Sequence, residues 1–259
     1  MASLRDKVVL ITGASGGIGA AVAAQFAKHG CRLALSGRNV EKLEETATKC
    51  RETGLNSEMV FVVPGDISQE EIASDILEKT IEKFNQLDIL VNNAGVFLMD
   101  TIENLDMANF DRVMNINFRA AVYLTHLAVP YLVATKGNVV NVSSTAAAVP
   151  GSMRFTYGTS KAALEHFTKS AALHLGPKQV RVNCISPGYV DTDILPNAGV
   201  DPETIKALTG QLQAVHPIGR YGKPDDISEI IVAVASDSAR FMTGSIVAVD
   251  GGLQLSAAF

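Results

Sequence analysis

Residues 8–19 read Val8-Val9-Leu10-Ile11-Thr12-Gly13-Ala14-Ser15-Gly16-Gly17-Ile18-Gly19. The apolar run is continuous rather than alternating, as in a strand buried on both faces. A helical pattern over residues 17–29 follows the glycines. Gly13 allows a tight turn, Gly17 lets backbone N–H groups approach a pyrophosphate, and Gly19 lets the helix pack close to the sheet. The helix start adds unpaired N–H groups and a partial positive charge. The spacing is GxxxGxG, not the commoner GxGxxG, and no Lys-Ser/Thr pair follows, so the turn is not a Walker loop. Strand, glycine turn and helix in this order point to a dinucleotide site.

Outward from this stretch, short apolar runs alternate with longer helical patterns. The runs predict strands over 7–12, 32–36, 59–64, 88–92, 137–142, 181–186 and 245–250. The segments between them predict helices over 17–29, 40–53, 69–85, 107–134, 156–175 and 224–236. This alternation predicts an α/β fold: a doubly wound, seven-stranded parallel sheet with helices on both faces. Right-handed crossovers then place the ligand-binding loops at the carboxyl ends of the strands. Residues 1–259 read as a single domain without repeats or linkers. Residues 191–220 hold Pro196, Pro202, Pro217, Gly199, Gly210 and Gly219. They read as an excursion over the site, a substrate-binding loop or lid.

Composition narrows the class. The chain has 259 residues, 47% of them hydrophobic and 19% charged, enough apolar mass for a large core. Its net charge of -5 and lack of a Lys/Arg run give no basic surface for nucleic acid. Three cysteines, an odd and sparse set, argue for a reducing compartment. No stretch approaches the ~18 apolar residues of a membrane helix, and the start is not a signal peptide. A cytoplasmic protein is expected. The histidines show no metal-ligand spacing, so no metal is assigned.

Two further features carry chemistry. The second predicted strand ends at Ser36 and is followed by Gly37-Arg38-Asn39, with no acidic residue before Glu41. An acidic residue there binds the ribose hydroxyls of NAD, whereas an arginine suits a 2′-phosphate. Arg38 therefore predicts NADP(H) rather than NAD(H). Later, Tyr157-Gly158-Thr159-Ser160-Lys161 sets a tyrosine and a lysine four apart on one helix face. A free phenol has a pKa of about 10, and a nearby ammonium lowers it toward a useful range. Asn92-Asn93-Ala94-Gly95, Asn141-Val142-Ser143-Ser144 and Asn117 converge on the same predicted sheet edge.

With these motifs together, the chain resembles the classical short-chain dehydrogenase/reductase family over essentially its whole length. Thr12 to Gly19 is similar to the family's TGxxxGxG turn, Asn92 to Gly95 to its NNAG motif, and Tyr157 and Lys161 to its YxxxK pair. Pro187-Gly188 followed by Thr192 resembles its PGxxxT loop. Thr243-Gly244 through Val249-Asp250-Gly251-Gly252 resembles its closing strand. The resemblance implies a single-domain Rossmann fold with Asn117, Ser144, Tyr157 and Lys161 as the catalytic set. Ser144 is preferred over Ser143 because it lies 13 residues before Tyr157, the family's offset. It implies a cofactor held by Gly13, Ser15, Gly16, Ile18, Arg38, Asp66, Asn93, Ala94, Gly95, Tyr157, Lys161, Pro187, Gly188, Val190 and Thr192. Many NADP-using members carry a basic residue just before the middle glycine; this chain has Gly16, so the NADP expectation rests on Arg38.

The implied reaction is hydride transfer between the nicotinamide and a carbonyl or alcohol. In it Ser144 would orient the carbonyl oxygen, Tyr157 would give the proton, and Lys161 would hold the ribose and lower the tyrosine pKa. Asn117 would support a water linking Lys161 to solvent. Expected pocket residues are Val96, Phe97, Ala146, Val149, Met153, Phe155, Tyr189, Ile194 and Leu195, mostly apolar and without a prominent cation. They predict an uncharged ketone or aldehyde as substrate. A 3-oxoacyl-thioester reductase and a non-catalytic dinucleotide-binding sensor or scaffold are the alternatives. Family members are homotetramers or dimers, and the same is expected here.

Overall fold

The computed structural model describes residues 4–256. Seven strands form one parallel sheet: β1 (Val8–Thr12), β2 (Arg32–Ser36), β3 (Val60–Val62), β4 (Ile89–Asn92), β5 (Asn138–Val142), β6 (Arg181–Pro187) and β7 (Ile246–Val249). Their order is β3-β2-β1-β4-β5-β6-β7. Strand order reverses between β1 and β4, so a crevice opens there at the carboxyl edge of the sheet.

The continuous apolar run of β1 is divided between two cores. Val9 and Ile11 pack on one face with Val22 and Phe26 of α1 (Gly17–Lys28), Leu43 of α2 (Val40–Glu52) and Ile231 of α9 (Pro224–Ala235). Val8 and Leu10 pack on the other with Ile76 of α3 (Glu70–Phe84), Leu124 of α5 (Ala120–Thr135) and Leu175 of α6 (Phe155–Leu175). Successive side chains of a strand point to opposite faces, so helices on both sides demand apolar residues at every position. Asn92 and Asn141 share the buried interior. Asn92 Nδ2 donates to Asn141 Oδ1 at 2.9 Å and to Thr125 Oγ1 at 3.0 Å, and Asn141 Nδ2 donates to Thr168 Oγ1 at 2.9 Å. Their side chains tie β4 and β5 to α5 and α6.

Two expectations require correction. The single helix expected over 107–134 is α4 (Met107–Met114), a π turn (Asn115–Arg119) and α5 in succession. π turns are single-turn insertions inside α-helices, and residues 115–119 carry no glycine or proline to mark one. The 191–220 segment is largely helical, not a loop. It contains α7 (Ile194–Asn197) and α8 (Pro202–Val215). Asp201 caps α8, accepting from the Thr204 amide at 2.9 Å, and Pro202 occupies the first turn, where a missing N–H costs nothing. No residue of α8 is fully buried; Ile205, Leu208 and Leu212 form a half-buried stripe, and Leu212 lines the crevice. The segment closes on a neck: Gly222 N donates to Tyr189 O and Asp191 N to Gly222 O, both at 2.9 Å. The rings of Tyr189 and Tyr221 meet edge to face across it at 5.5 Å.

Candidate functional site

The crevice at the β1/β4 switch is a cleft of about 810 Å³. At its centre lies the glycine turn. Gly13 has φ 67°, a left-handed conformation that favours glycine. A Cβ on Gly19 would lie 2.1 Å from Gly13 O, so α1 packs against the strand end only because Gly19 has no side chain. Asn93 Nδ2 donates to Thr12 O at 3.0 Å and Gly13 O at 3.2 Å, and Thr12 Oγ1 accepts from the Asn93 and Ala94 amides at 3.1 Å. These bonds stitch the end of β4 to the turn. No side chain caps α1, which leaves its first amides for a ligand.

At one end the cleft is lined by Gly37, Arg38, Asn39, Lys42 and Asp66. Arg38 is exposed. Asn39 caps α2 by accepting from the Lys42 amide at 2.9 Å. The Asp66 carboxylate accepts from Ser68 N at 3.0 Å and Ser68 Oγ at 2.8 Å. Ser15, Gly16, Ile18, Ala94, Gly95, Pro187, Gly188, Val190 and Thr192 also line the cleft. Every residue expected to hold a cofactor therefore borders one cavity. The donor set fits a dinucleotide: glycines where a side chain would collide, an uncapped helix start for phosphate, and a cation at the ribose end.

Tyr157 and Lys161 are buried at the inner end, with exposures of 9% and 3%. Lys161 Nζ donates to Val142 O at 2.8 Å and lies 5.8 Å from the Tyr157 ring centroid. Burial pushes the ammonium down to about 8. The phenol departs from expectation, because burial raises its pKa and wins. The opposing pulls come from a Ser144 hydrogen bond and the Arg154 charge, not from Lys161. Phe97 packs edge-on to the Tyr157 ring at 5.1 Å.

Asn117 sits on the π turn and is 1% exposed. Its amide clamps the backbone of Val96: Oδ1 accepts from Val96 N at 2.8 Å and Nδ2 donates to Val96 O at 2.9 Å. Nδ2 also donates to Ser160 Oγ at 3.0 Å, and Ser160 Oγ donates to Tyr157 O at 2.7 Å. A Cβ on Gly95 would lie 3.3 Å from both Asn117 Oδ1 and Lys161 Nζ, so the two groups face one small space. The adjacent serines diverge. Ser143 Oγ is buried and donates to Lys161 O at 3.2 Å, whereas Ser144 caps a short turn, accepting from Ala146 N at 3.2 Å, and reaches the phenol.

Six of the nine expected pocket residues line the cleft. Val149, Met153 and Phe155 do not, and Met153 and Phe155 are 55% and 37% exposed. The expectation of a pocket without a prominent cation is also corrected. Arg154 lines the cleft, donates Nη2 to Val149 O at 3.2 Å and influences the phenol. It is the N-cap residue of α6, just outside the helix that carries Tyr157. Asp100 is a second residue that sequence reasoning passed over. Its buried carboxylate accepts from the Thr156 amide at 3.1 Å and from the Thr156 hydroxyl, holding the start of α6. Among the described residues no group of three or more His, Cys, Asp or Glu could hold a metal ion, and no helix is long and apolar enough to cross a membrane.

The family profile described as enoyl-(acyl carrier protein) reductase matches residues 13–254. An uncharacterized oxidoreductase of Thermotoga maritima is 37% identical over 255 residues, covering 96% of this chain and 98% of the relative. The 3-oxoacyl-(acyl-carrier-protein) reductase of the same organism is 32% identical over 251 residues, covering 96% and 98%. Among solved structures, a short-chain dehydrogenase/reductase of unknown function from Caenorhabditis elegans, determined with cofactor, superposes with a TM-score of 0.95 at 32% identity, covering 99% and 98%. Fold, site and relatives define an oxidoreductase that binds a nicotinamide dinucleotide. The chain belongs to the short-chain dehydrogenase/reductase family.

Proposed function

We propose that this protein is an NADP-dependent oxidoreductase that interconverts a ketone or aldehyde with its alcohol. The observation that carries this proposal is the buried Tyr157, set between the Ser144 hydroxyl and the Lys161 ammonium at the inner end of the dinucleotide cleft. Arg38, with no carboxylate beside it in the β2–α2 turn, supports NADP over NAD.

When bound, the nicotinamide supplies or accepts the hydride. The chain's own residues handle the proton. Ser144 Oγ would hold the carbonyl oxygen, and Tyr157 Oη would give its proton to that oxygen as negative charge develops. In the opposite direction the Tyr157 phenolate takes the alcohol proton as hydride leaves the carbon. Burial keeps Tyr157 protonated at rest, while Ser144 and Arg154 ease the departure of its proton. Lys161 keeps a charge close to the phenol, and Asn117 fixes Val96 and hence the wall beside it. Val96, Phe97, Ala146, Ile194 and Leu195 would surround the substrate, with residues 191–220 as a lid.

A 3-oxoacyl thioester is the second substrate reading, favoured by the Thermotoga relative of that name. Association into dimers or tetramers is proposed on the family resemblance. Three buried thiols suit the reducing cytoplasm. The test is consumption of NADPH and, in parallel, NADH with aromatic diketones, quinones, steroids, terpenoid aldehydes and a β-ketoacyl thioester. Turnover with NADPH and little with NADH is expected. Turnover with NADH alone overturns the cofactor assignment, and none with either overturns the reductase assignment.

A further inference from the structure

Lys42 stands on the first turn of α2, four residues after Arg38, and lines the same end of the cleft. Its backbone is fixed by the Asn39 cap, so only its side chain is free to change partner. In the structure Lys42 Nζ donates to Asp193 Oδ2 at 3.1 Å. The partners are 151 residues apart in sequence. Asp193 follows Thr192 and starts α7, so the pair joins the phosphate end of the cleft to the first residues of the 191–220 segment. The same segment touches the glycine turn: a Cβ on Gly17 would lie 3.0 Å from Thr192 Cγ2. Beyond this contact the segment is anchored at the Tyr189–Gly222 neck.

The pair is exposed, with side chains at 49% and 62%. Such a pair is weak and easily exchanged for a stronger anion. A phosphate monoester carries close to two negative charges and three acceptor oxygens. Placed at Arg38, it attracts Lys42 and repels the Asp193 carboxylate. A ribose hydroxyl does neither.

We propose that Lys42 and Asp193 form a clasp that the 2′-phosphate of NADP opens. Lys42 exchanges Asp193 for the phosphate, and Asp193, repelled, releases the amino end of the lid. NADP(H) and NAD(H) then bind with the lid in different states. Lys42 becomes a second determinant of cofactor choice, and Asp193 an antagonist of it. The clasp depends on Arg38 receiving the phosphate, as argued above.

The test is equilibrium binding, read from the fluorescence of NADPH and NADH; the chain has no tryptophan to interfere. Lys42→Gln is expected to weaken NADPH by about tenfold, the usual scale for a hydrogen bond to a charged group, and to leave NADH within about twofold. Asp193→Asn is expected to tighten NADPH several-fold and leave NADH unchanged, with the gain lost in the double variant. Hydrogen exchange over residues 194–215 is expected to be faster with NADPH than with NADH in the wild type, and equal in Lys42→Gln. If Arg38→Ala removes the NADPH preference while Lys42→Gln and Asp193→Asn leave it unchanged, the clasp is overturned and NADP dependence stands. If the wild type shows no NADPH preference and Arg38→Ala changes nothing, NADP dependence is overturned and the clasp falls with it.

Discussion

Replacing Lys161 with methionine yields a stability change whose pH dependence is fixed by the burial of one amine. In the folded chain the ammonium is desolvated, and its pKa falls from 10.5 to about 8, with Cys184 and the Glu165 carboxylate pulling the other way. In the unfolded chain the amine keeps its proton up to about 10.5. Between those values the unfolded state binds more protons at this group, so the Lys161 contribution to stability rises with pH across that window. The gap corresponds to roughly 3 kcal/mol at about 1.4 kcal/mol per unit. Below pH 8 this is the cost of burying the charge, and Lys161→Met avoids it. The variant leaves Val142 O without its donor, a loss of about 1 kcal/mol that does not follow the titration. Lys161→Met is therefore expected to be the more stable protein by about 2 kcal/mol at pH 7, with the difference shrinking and then reversing by pH 10. Cys31, Cys50 and Cys184, pushed up to about 12 by burial, keep their protons in both folded proteins through pH 10 and cancel in the difference. Urea unfolding of both proteins at several pH values between 6.5 and 10 measures this. A stability difference that stays flat with pH would refute the claim that Lys161 is held in its cleft against its own desolvation.

Asp100→Ala removes both acceptors from Thr156 at the start of α6; it should lower stability by about 1–2 kcal/mol, the usual cost of a lost helix cap, with Asp100→Asn recovering part of it in urea unfolding. Gly19→Ala forces a methyl against Gly13 O and should cost about 1–3 kcal/mol, as overpacking does. Gly16→Ala, whose Cβ meets nothing within 4 Å, should cost about 1 kcal/mol or less; thermal unfolding of the two variants side by side distinguishes a packing role from a general need for glycine.

The sheet was legible because burial on both faces writes itself as unbroken apolar runs, of which residues 8–12 are the clearest. The glycine turn and the Tyr157–Lys161 pair were legible because their roles follow from local geometry, a turn and a helix face. The π turn around Asn117 was not, since no glycine or proline marks it in an otherwise helical run. Helix α8 was hidden because the prolines and glycines around it, Pro196, Gly199, Pro202, Gly210, Pro217 and Gly219, read as loop, although Ile205, Leu208 and Leu212 keep helical spacing. Arg154 precedes α6 as its N-cap, outside the helix expected over 156–175, so no helix face tied it to Tyr157. The Lys42–Asp193 pair joins positions 151 residues apart, a distance across which a single sequence carries no local signal. Met153 and Phe155 illustrate the reverse: apolar residues beside the site that face solvent instead.

The most direct test of the central claim, that Tyr157 carries the proton in a carbonyl–alcohol exchange, is the NADPH-dependent turnover of Tyr157→Phe on the best carbonyl of the panel, with NADPH affinity measured on the same preparation. Loss of the phenolic proton should lower turnover by about a hundredfold or more, while NADPH binds within about twofold of wild type. Turnover at the wild-type rate in Tyr157→Phe would contradict the assignment of the proton to this residue.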